Sequence, residues 1–344
     1  MDILIPIEIW QLILFHTEFL TQIRLRCVNK LFYARLEVRD FYDIEEKYLK
    51  LLSDDILKAY PFIVKLEASF NLKITNLNYL TRLEKLGAGD DITCGVNDKG
   101  IANLKLRILY IAGNANITNL NHLTRLEILD ASYSSGVNDA GIKNLNLKKL
   151  YVEHHPKITN VNHMINLEVL VVSGDCGIGD AGIHNLNLKN LCAYNNPKVT
   201  NVNHMNRLEK LNANGRICGI DNKGISNINL KELNVSSNKK ISEINHMTCL
   251  EILGASSESG INDTSIANLN LKELNANQNP NITKVNHMDR LEILYAHDNC
   301  GIEEKELVGL NLKGLYAEDN PRISKAFVDR INGKKIDKII PRIY

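Results

Sequence analysis

The chain has 344 residues, more than one compact globular domain usually holds, so two domains or a repeat array are expected. Hydrophobic residues make up 44% and charged residues 24%, ordinary values for a soluble protein, and a formal net charge of +1 gives no electrostatic case for nucleic acid. Seven cysteines form no CxxC pair, which excludes a zinc ribbon or disulfide framework, and no uncharged apolar stretch approaches the roughly 18 residues of a membrane span.

In chain order, residues 1–36 come first. Asp2 stands where a signal peptide needs positive charge, and Pro6 and Glu8 interrupt the apolar run, so an intracellular, cytoplasmic protein is expected. Apolar residues at Ile9, Leu12 and Ile13, and again at Leu25, Val28 and Phe32, have helical spacing. The segment resembles the F-box: Ile5-Pro6-x-Glu8-Ile9-Trp10, the Ile13-Leu14 pair and Val28-Asn29-Lys30-x-Phe32 fall at that family's separations. It departs from the family where Thr17 replaces a usual leucine and where the acidic-leucine pair opening the second helix is missing. The resemblance implies docking on the adaptor of a cullin–RING ubiquitin ligase. Ile5, Pro6, Ile9, Trp10, Ile13, Leu25, Val28 and Phe32 would serve it, some in contact and some in the module's own small core. A plain N-terminal cap over the first repeat is the other reading. Residues 37–60 are charged, then carry Ser53-Asp54-Asp55 as a helix N-cap, and read as a helical linker or cap.

Residues 61–325 repeat. Leu66, Leu109, Leu150, Leu191, Leu233, Leu274 and Leu315 form one series, and Leu86, Leu129, Leu170, Leu211, Leu253 and Leu294 a second, giving thirteen units in alternating pairs of mostly 41 or 42 residues. Irregular steps are placed just after the strand, around Asp91-Ile92 and Arg216-Ile217, where a loop tolerates insertion. Within a unit the pattern is Leu-x-x-Leu-x-(Ala/Val/Ile)-x-x-Asn-x-x-Ile, whose alternation about the central leucine predicts a strand. This resembles leucine-rich repeats, and the second series, with Gly136–Leu145 and Gly260–Leu269, the cysteine-containing subtype. The implied fold is an α/β repeat solenoid, a horseshoe with a parallel concave sheet preceded by a small helical F-box-like module, with residues 326–344 as C-terminal cap or tail. An F-box joined to an Asn/Ile-rich array is also similar to proteins of giant DNA viruses of amoebae, which would place it in host cytoplasm or nucleus.

Several ladders look like sites. His122, His163, His204, His246 and His287 recur at one position, but neighbours two units apart lie about 10 Å from each other, too far to share a metal. Asn71, Asn114, Asn196, Asn238, Asn279 and Asn320, with His155 as the exception, are read as satisfying backbone groups at the strand ends. Cys94, Cys176, Cys218 and Cys300 are read as small buried spacers. Two residues before each strand leucine, charge alternates from Glu84 through Arg107 to Lys313, which a parallel stack turns into a stripe of opposite neighbours.

No nucleophile–base pair, phosphate loop or metal spacing appears, so no enzyme and no cofactor are expected. Residues facing out of the strands offer the binding surface. Tyr110, Tyr133, Tyr151, Glu153, His154 and Tyr194 make the stronger patch, and Tyr295, His297 and Tyr316 a second, because tyrosines favour interfaces. The asparagine- and serine-rich strands between them read as bland. The expected function is a non-enzymatic scaffold. By resemblance it is the substrate-recognition subunit of an SCF-type ubiquitin ligase, with the adaptor on residues 1–36 and an unknown protein substrate on the concave face. The alternative is a stand-alone repeat protein that binds or sequesters a partner without ubiquitination. Neither nucleic acid nor membrane is an expected partner.

Overall fold

The computed structural model describes residues 6–90 and 92–333, and the chain divides into two compact units, Met1–Ile158 and Thr159–Tyr344.

The first unit opens with three helices, α1 (Ile7–Phe15), α2 (Phe19–Arg26) and α3 (Lys30–Arg35). Pro6 sits at the N-cap of α1, and the Asn29 side chain caps α3 by accepting from the Phe32 N–H at 2.8 Å. Then follow β1 (Asp40–Phe41), α4 (Glu46–Leu49), α5 (Asp54–Lys58), β2 (Lys65–Glu67), β3 (Lys85–Gly87), α6 (Asp98–Ile101), β4 (Ile108–Tyr110), β5 (Ile128–Asp130), α7 (Asp139–Ile142) and β6 (Lys149–Tyr151). The six strands pair in parallel in chain order, with Leu66, Leu86, Leu109, Leu129 and Leu150 in register.

The second unit repeats the plan with β7 (Val169–Val171), α8 (Asp180–Ile183), β8 (Asn190–Cys192), β9 (Lys210–Asn212), β10 (Glu232–Asn234), β11 (Ile252–Gly254), α9 (Asp263–Ile266), β12 (Glu273–Asn275), β13 (Ile293–Tyr295), β14 (Gly314–Tyr316) and α10 (Lys325–Asn332). Its leucines from Leu170 to Leu315 are likewise in parallel register. Across both units no strand leucine is more than 2% exposed, and the residue two further on, mostly Ala or Val, is buried as well. Each unit is therefore an α/β solenoid of leucine-rich type. One strand per repeat cannot bury its own apolar face, so stacking supplies the core.

Residues 37–60 correct one expectation, since they are more than a helical link. Val38 and Phe41 are buried at the spacing of Ile63 and Leu66, and Phe41 pairs with Leu66. The Asp54 carboxylate accepts from the Thr75 N–H and hydroxyl, as Asp98 does from Thr118. The segment is a further repeat in which phenylalanine replaces the strand leucine. At the far end of the second unit, the Asn332 amide donates to Leu315 O and its carbonyl accepts from Leu315 N, so α10 satisfies backbone of the edge strand β14. Residues beyond 333 of the segment read as a C-terminal tail lie outside the described residues.

The polar ladders hold neighbouring repeats together. Asn114 donates to Ala88 O and Val96 O, and Asn238 to Ala213 O and Ile220 O, each while accepting from the N–H two residues on. His122, His204, His246 and His287 each donate from Nε2 to the carbonyl that ends the preceding helical turn, at 3.1–3.2 Å. Tyr79, at the same position in an earlier repeat, donates instead to the carbonyl of Asp54, the first residue of α5. In the charged stripe Arg107 bridges Glu84 and Glu127, while Lys148, Lys189, Lys231, Lys272 and Lys313 each reach the glutamate of the preceding strand at 2.7–3.1 Å. The arginine's broad fork spans two carboxylates.

The asparagine row breaks at His155. Its Nε2 donates to Ser135 O at 3.2 Å, and its Nδ1 is buried without a hydrogen-bond partner. Burial pushes the imidazole below its usual pKa of 6.5. The folded chain thus resists a proton that the unfolded chain accepts. Stability from this source is full above pH 6.5 and falls as pH drops below that value toward the folded pKa. His155→Asn is expected to add about 1 kcal/mol near neutral pH and to flatten that decline. Denaturant unfolding at about pH 7 and about pH 5.5 checks it, and identical pH slopes in the two proteins would sink the account.

One regularity has no fixed residue type. Four residues after every strand leucine the backbone enters the left-handed region: Phe70, Asp90, Gly113, Tyr133 and His154 in the first unit, and Gly174, Asn195, Gly215, Ser237, Ser257, Gln278, Asp298 and Asp319 in the second. Here the chain leaves the strand, and Gly, Asn and Asp suit the turn.

Candidate protein-interaction surfaces

The first surface is built by the N-terminal helices. Leu14 points inward and is fully buried, while Phe19 packs edge-on against Phe41 with centroids 5.0 Å apart. Gln11 both donates to and accepts from the Glu37 backbone. Arg26, only 6% exposed, donates to Tyr33 O and Ala59 O with its guanidinium 4.4 Å from the rings of both Tyr33 and Tyr60. The helices are thereby fixed to the first repeat.

That packing sorts the adaptor candidates. The Trp10 and Phe32 rings pack tilted against each other with centroids 5.1 Å apart, and with Leu25 they are half-buried in the helical module. Pro6, Ile9, Ile13 and Val28 face outward, Ile9 at 44% and Val28 at 64% exposure, and Ile5 lies outside the described residues. Leu12 and Leu31 join the same outward set, Leu31 at 58%, and the family motif does not mark either of them. Helical spacing marks Leu12 beside Ile9 and Ile13, and the same spacing, three residues after Val28, could have found Leu31.

The second surface is the sheet face of the first unit. Tyr110 and Tyr151 follow their strand leucines and are half-buried. Lys85 Nζ lies 3.4 Å over the Tyr42 ring and 5.6 Å from that of Tyr110. Burial first, then the Glu67 carboxylate, raise the Tyr42 pKa far above the ordinary tyrosine value. Tyr133 and His154 are not strand residues as expected. They occupy the left-handed corner, where their rings stack 6.1 Å apart. Glu153 precedes His154, and its carbonyl accepts the Tyr133 N–H at 2.7 Å.

Tyr194 belongs to the second unit, where it is exposed. Tyr295 and Tyr316 stack there face to face at 4.8 Å. His297 is tied to the backbone, its Nδ1 accepting from the Glu318 N–H and its own N–H donating to Asn277. A depression of about 210 Å³ lies over β7–β12, taking in the strands read as bland in sequence, bordered by Val169, Val171, Cys192, Ile252 and Gly254 and crossed by the Lys210–Glu232 ion pair. No aromatic side chain lines it, and a scan for tyrosines passes over it.

Two of the buried thiols are held in their protonated form. The buried Cys94 and Cys300 are pushed up to about 11 by desolvation, away from the thiolate a nucleophile needs. Among the described residues no group of three or more His, Cys, Asp or Glu could hold a metal, and no helix is long and apolar enough to cross a membrane. What the molecule offers is exposed side chains on rigid repeats, the make-up of a protein-binding scaffold.

No family model and no curated protein matches the chain. Solved structures with a similar fold include the functional domain of InlJ from Listeria monocytogenes, described as including a cysteine ladder, at 20% identity and a TM-score of 0.49, covering 76% of this chain and 60% of that one. A chain of the TLR13–ssRNA13 complex matches at 17% identity and 0.46, covering 83% and 52%. A chain of the yeast Rad7 and Elc1 complex matches at 15% and 0.36, covering 80% of each. The chain therefore spans 60% and 52% of the first two.

Proposed function

We propose that the chain is the substrate-recognition subunit of a cullin–RING, SCF-type ubiquitin ligase, without an active site of its own. Its N-terminal helices would dock the ligase adaptor and its sheet faces would hold the protein to be modified. The observation that carries this reading is the outward row Ile9, Leu12, Ile13, Val28 and Leu31, an apolar surface on a segment that already packs its other side on the first repeat. Exposed apolar surface of that kind marks an interaction site. All seven cysteines are free, which suits a reducing, cytoplasmic setting. The F-box resemblance names the partner, and the likeness to viral proteins extends the setting to a host cell's cytoplasm or nucleus.

A second reading has its own support. The Gln11 and Arg26 bonds to the first repeat are what a simple end cap needs, and a capped repeat protein could bind or sequester a partner without ubiquitin chemistry. Capture of purified adaptor–cullin complex by the full-length chain separates the two. Ile9→Asp combined with Val28→Asp is expected to weaken capture by at least tenfold, corresponding to about 1.4 kcal/mol, with the melting temperature little changed. Undiminished capture by that variant, or none by the parent chain, would leave the cap reading.

A further inference from the structure

The left-handed corner of the first unit holds side chains that do not suit it. Phe70 and Tyr133, with His154 beside Tyr133, stand where the other repeats place Gly, Asn, Asp, Ser or, once, Gln, and of the three the two bulky rings are the ones unsuited to positive φ. A bulky side chain is strained at positive φ, and such strain persists where something outside local stability maintains it. Burial does not explain these residues, because Phe70 is 63% and Tyr133 53% exposed. The rings of Tyr133 and His154 lie 11° from parallel, so they present one continuous aromatic edge to solvent.

Where these strands end and the chain turns away, charge has a single sign, whereas Lys65, Lys85 and Lys149 stand before the leucines at the other end of β2, β3 and β6. One, three and four residues after the leucines of β2–β6 stand Glu67, Asp90, Asp130 and Glu153, and no lysine or arginine occupies any of those positions. The aromatic residues Phe70, Tyr110, Tyr133 and Tyr151 share them. The chain itself shows that a ring at this end of the sheet accepts a cation, since Lys85 sits on Tyr42. Carboxylates beside open aromatic faces suit a guanidinium, which stacks on a ring while bonding a carboxylate in its plane, whereas phosphate would be repelled.

We infer that this edge of the first unit's sheet binds an arginine-bearing basic segment of the protein partner, with the Tyr133–His154 stack as the platform and Asp130 and Glu153 as the acids. The inference rests on the sheet faces being the partner-binding surface, and it supplies the chemistry of that partner. The probe is a fluorescein-labelled peptide alternating glycine and arginine, followed by anisotropy with the full-length chain at about 0.15 M salt. A peptide with glutamate in place of arginine is the control. Tyr133→Asn with His154→Asn places at the corner a residue that accepts positive φ, so the fold should melt no lower than the parent. Binding should nevertheless fall about tenfold or more, and Asp130→Asn with Glu153→Gln should weaken it similarly. No binding of the arginine peptide up to about 1 mM, equal binding of the glutamate peptide, or unchanged affinity in both double variants overturns the inference. Failure of the ligase reading would show separately, in adaptor capture by the same proteins, which these substitutions leave as it is in the parent.

Discussion

Replacing Asn196 by alanine is expected to cost the second unit about 3 kcal/mol or more, a large share of the stability of any domain. The Asn196 amide donates to Val172 O at 2.7 Å and Ile178 O at 3.1 Å, and its oxygen accepts from the Lys198 N–H at 2.8 Å. The residue is 0% exposed, so water does not replace these partners. Alanine would leave the two carbonyls buried and without the amide donor and the part-buried Lys198 N–H without its acceptor, and each buried group left unpaired costs about 1–3 kcal/mol. Asn196→Asp is expected to be worse still, because a carboxylate cannot donate to either carbonyl. In a linear array this loss falls on one junction, so denaturant unfolding should become broader as well as earlier. A variant that unfolds within about 0.5 kcal/mol of the parent would show that the asparagine row is ornamental.

Removing the Arg26 guanidinium should have the second largest effect. Arg26→Ala abolishes charge-assisted bonds to Tyr33 O and Ala59 O and empties the space between the Tyr33 and Tyr60 rings. Part of the loss is offset because a cation no longer needs to be buried, so a net cost of about 2–4 kcal/mol is expected. Lysine should not rescue it, having a single charged point where the site uses a flat fork between two rings. The readout is limited proteolysis beside denaturant unfolding. Cleavage near residues 27–37 should accelerate while repeats toward the end of the first unit stay protected. Parent-like proteolysis in both variants would refute the role of Arg26 as the tie between helices and repeats.

Much of this architecture was legible because its cause is periodic. Each strand leucine faces the same neighbours, so selection on packing writes the same letter at the same interval, and the register confirms Leu66 against Leu86 and Leu294 against Leu315. The asparagine row was readable for the same reason, since only a side chain with both donor and acceptor serves that junction. The first repeat was missed because Phe41 fills the leucine site at a step of 25 residues, longer than the others. The left-handed corner escaped notice because its constraint lies in the backbone, which is met by Gly113, by Asp90 and, at the cost of strain, by Tyr133, and so leaves no recurring letter. Arg26 looks like a helix-surface charge until Tyr60, distant in sequence, is brought over it. On the candidate surfaces, tyrosines could be named from type alone. Which of them stack, and on which edge, depended on turns that the repeat pattern does not encode.

The alternation of repeat types sets the step by which such a chain can lengthen or shorten. Asn238 and His246 in one repeat both reach back to the repeat before it, which supplies Ala213 O, Ile220 O and Ile225 O. Lys231 in the same repeat meets Glu209 in that earlier one. Deleting a coding block for one repeat would bring two of a kind together, either glutamate beside glutamate or lysine beside lysine with an amide facing the wrong carbonyls. Deleting two consecutive repeats, mostly 41 or 42 residues, rejoins complementary surfaces. The gene can therefore be edited in pairs, and a lineage carrying this array should vary in length by even numbers of repeats.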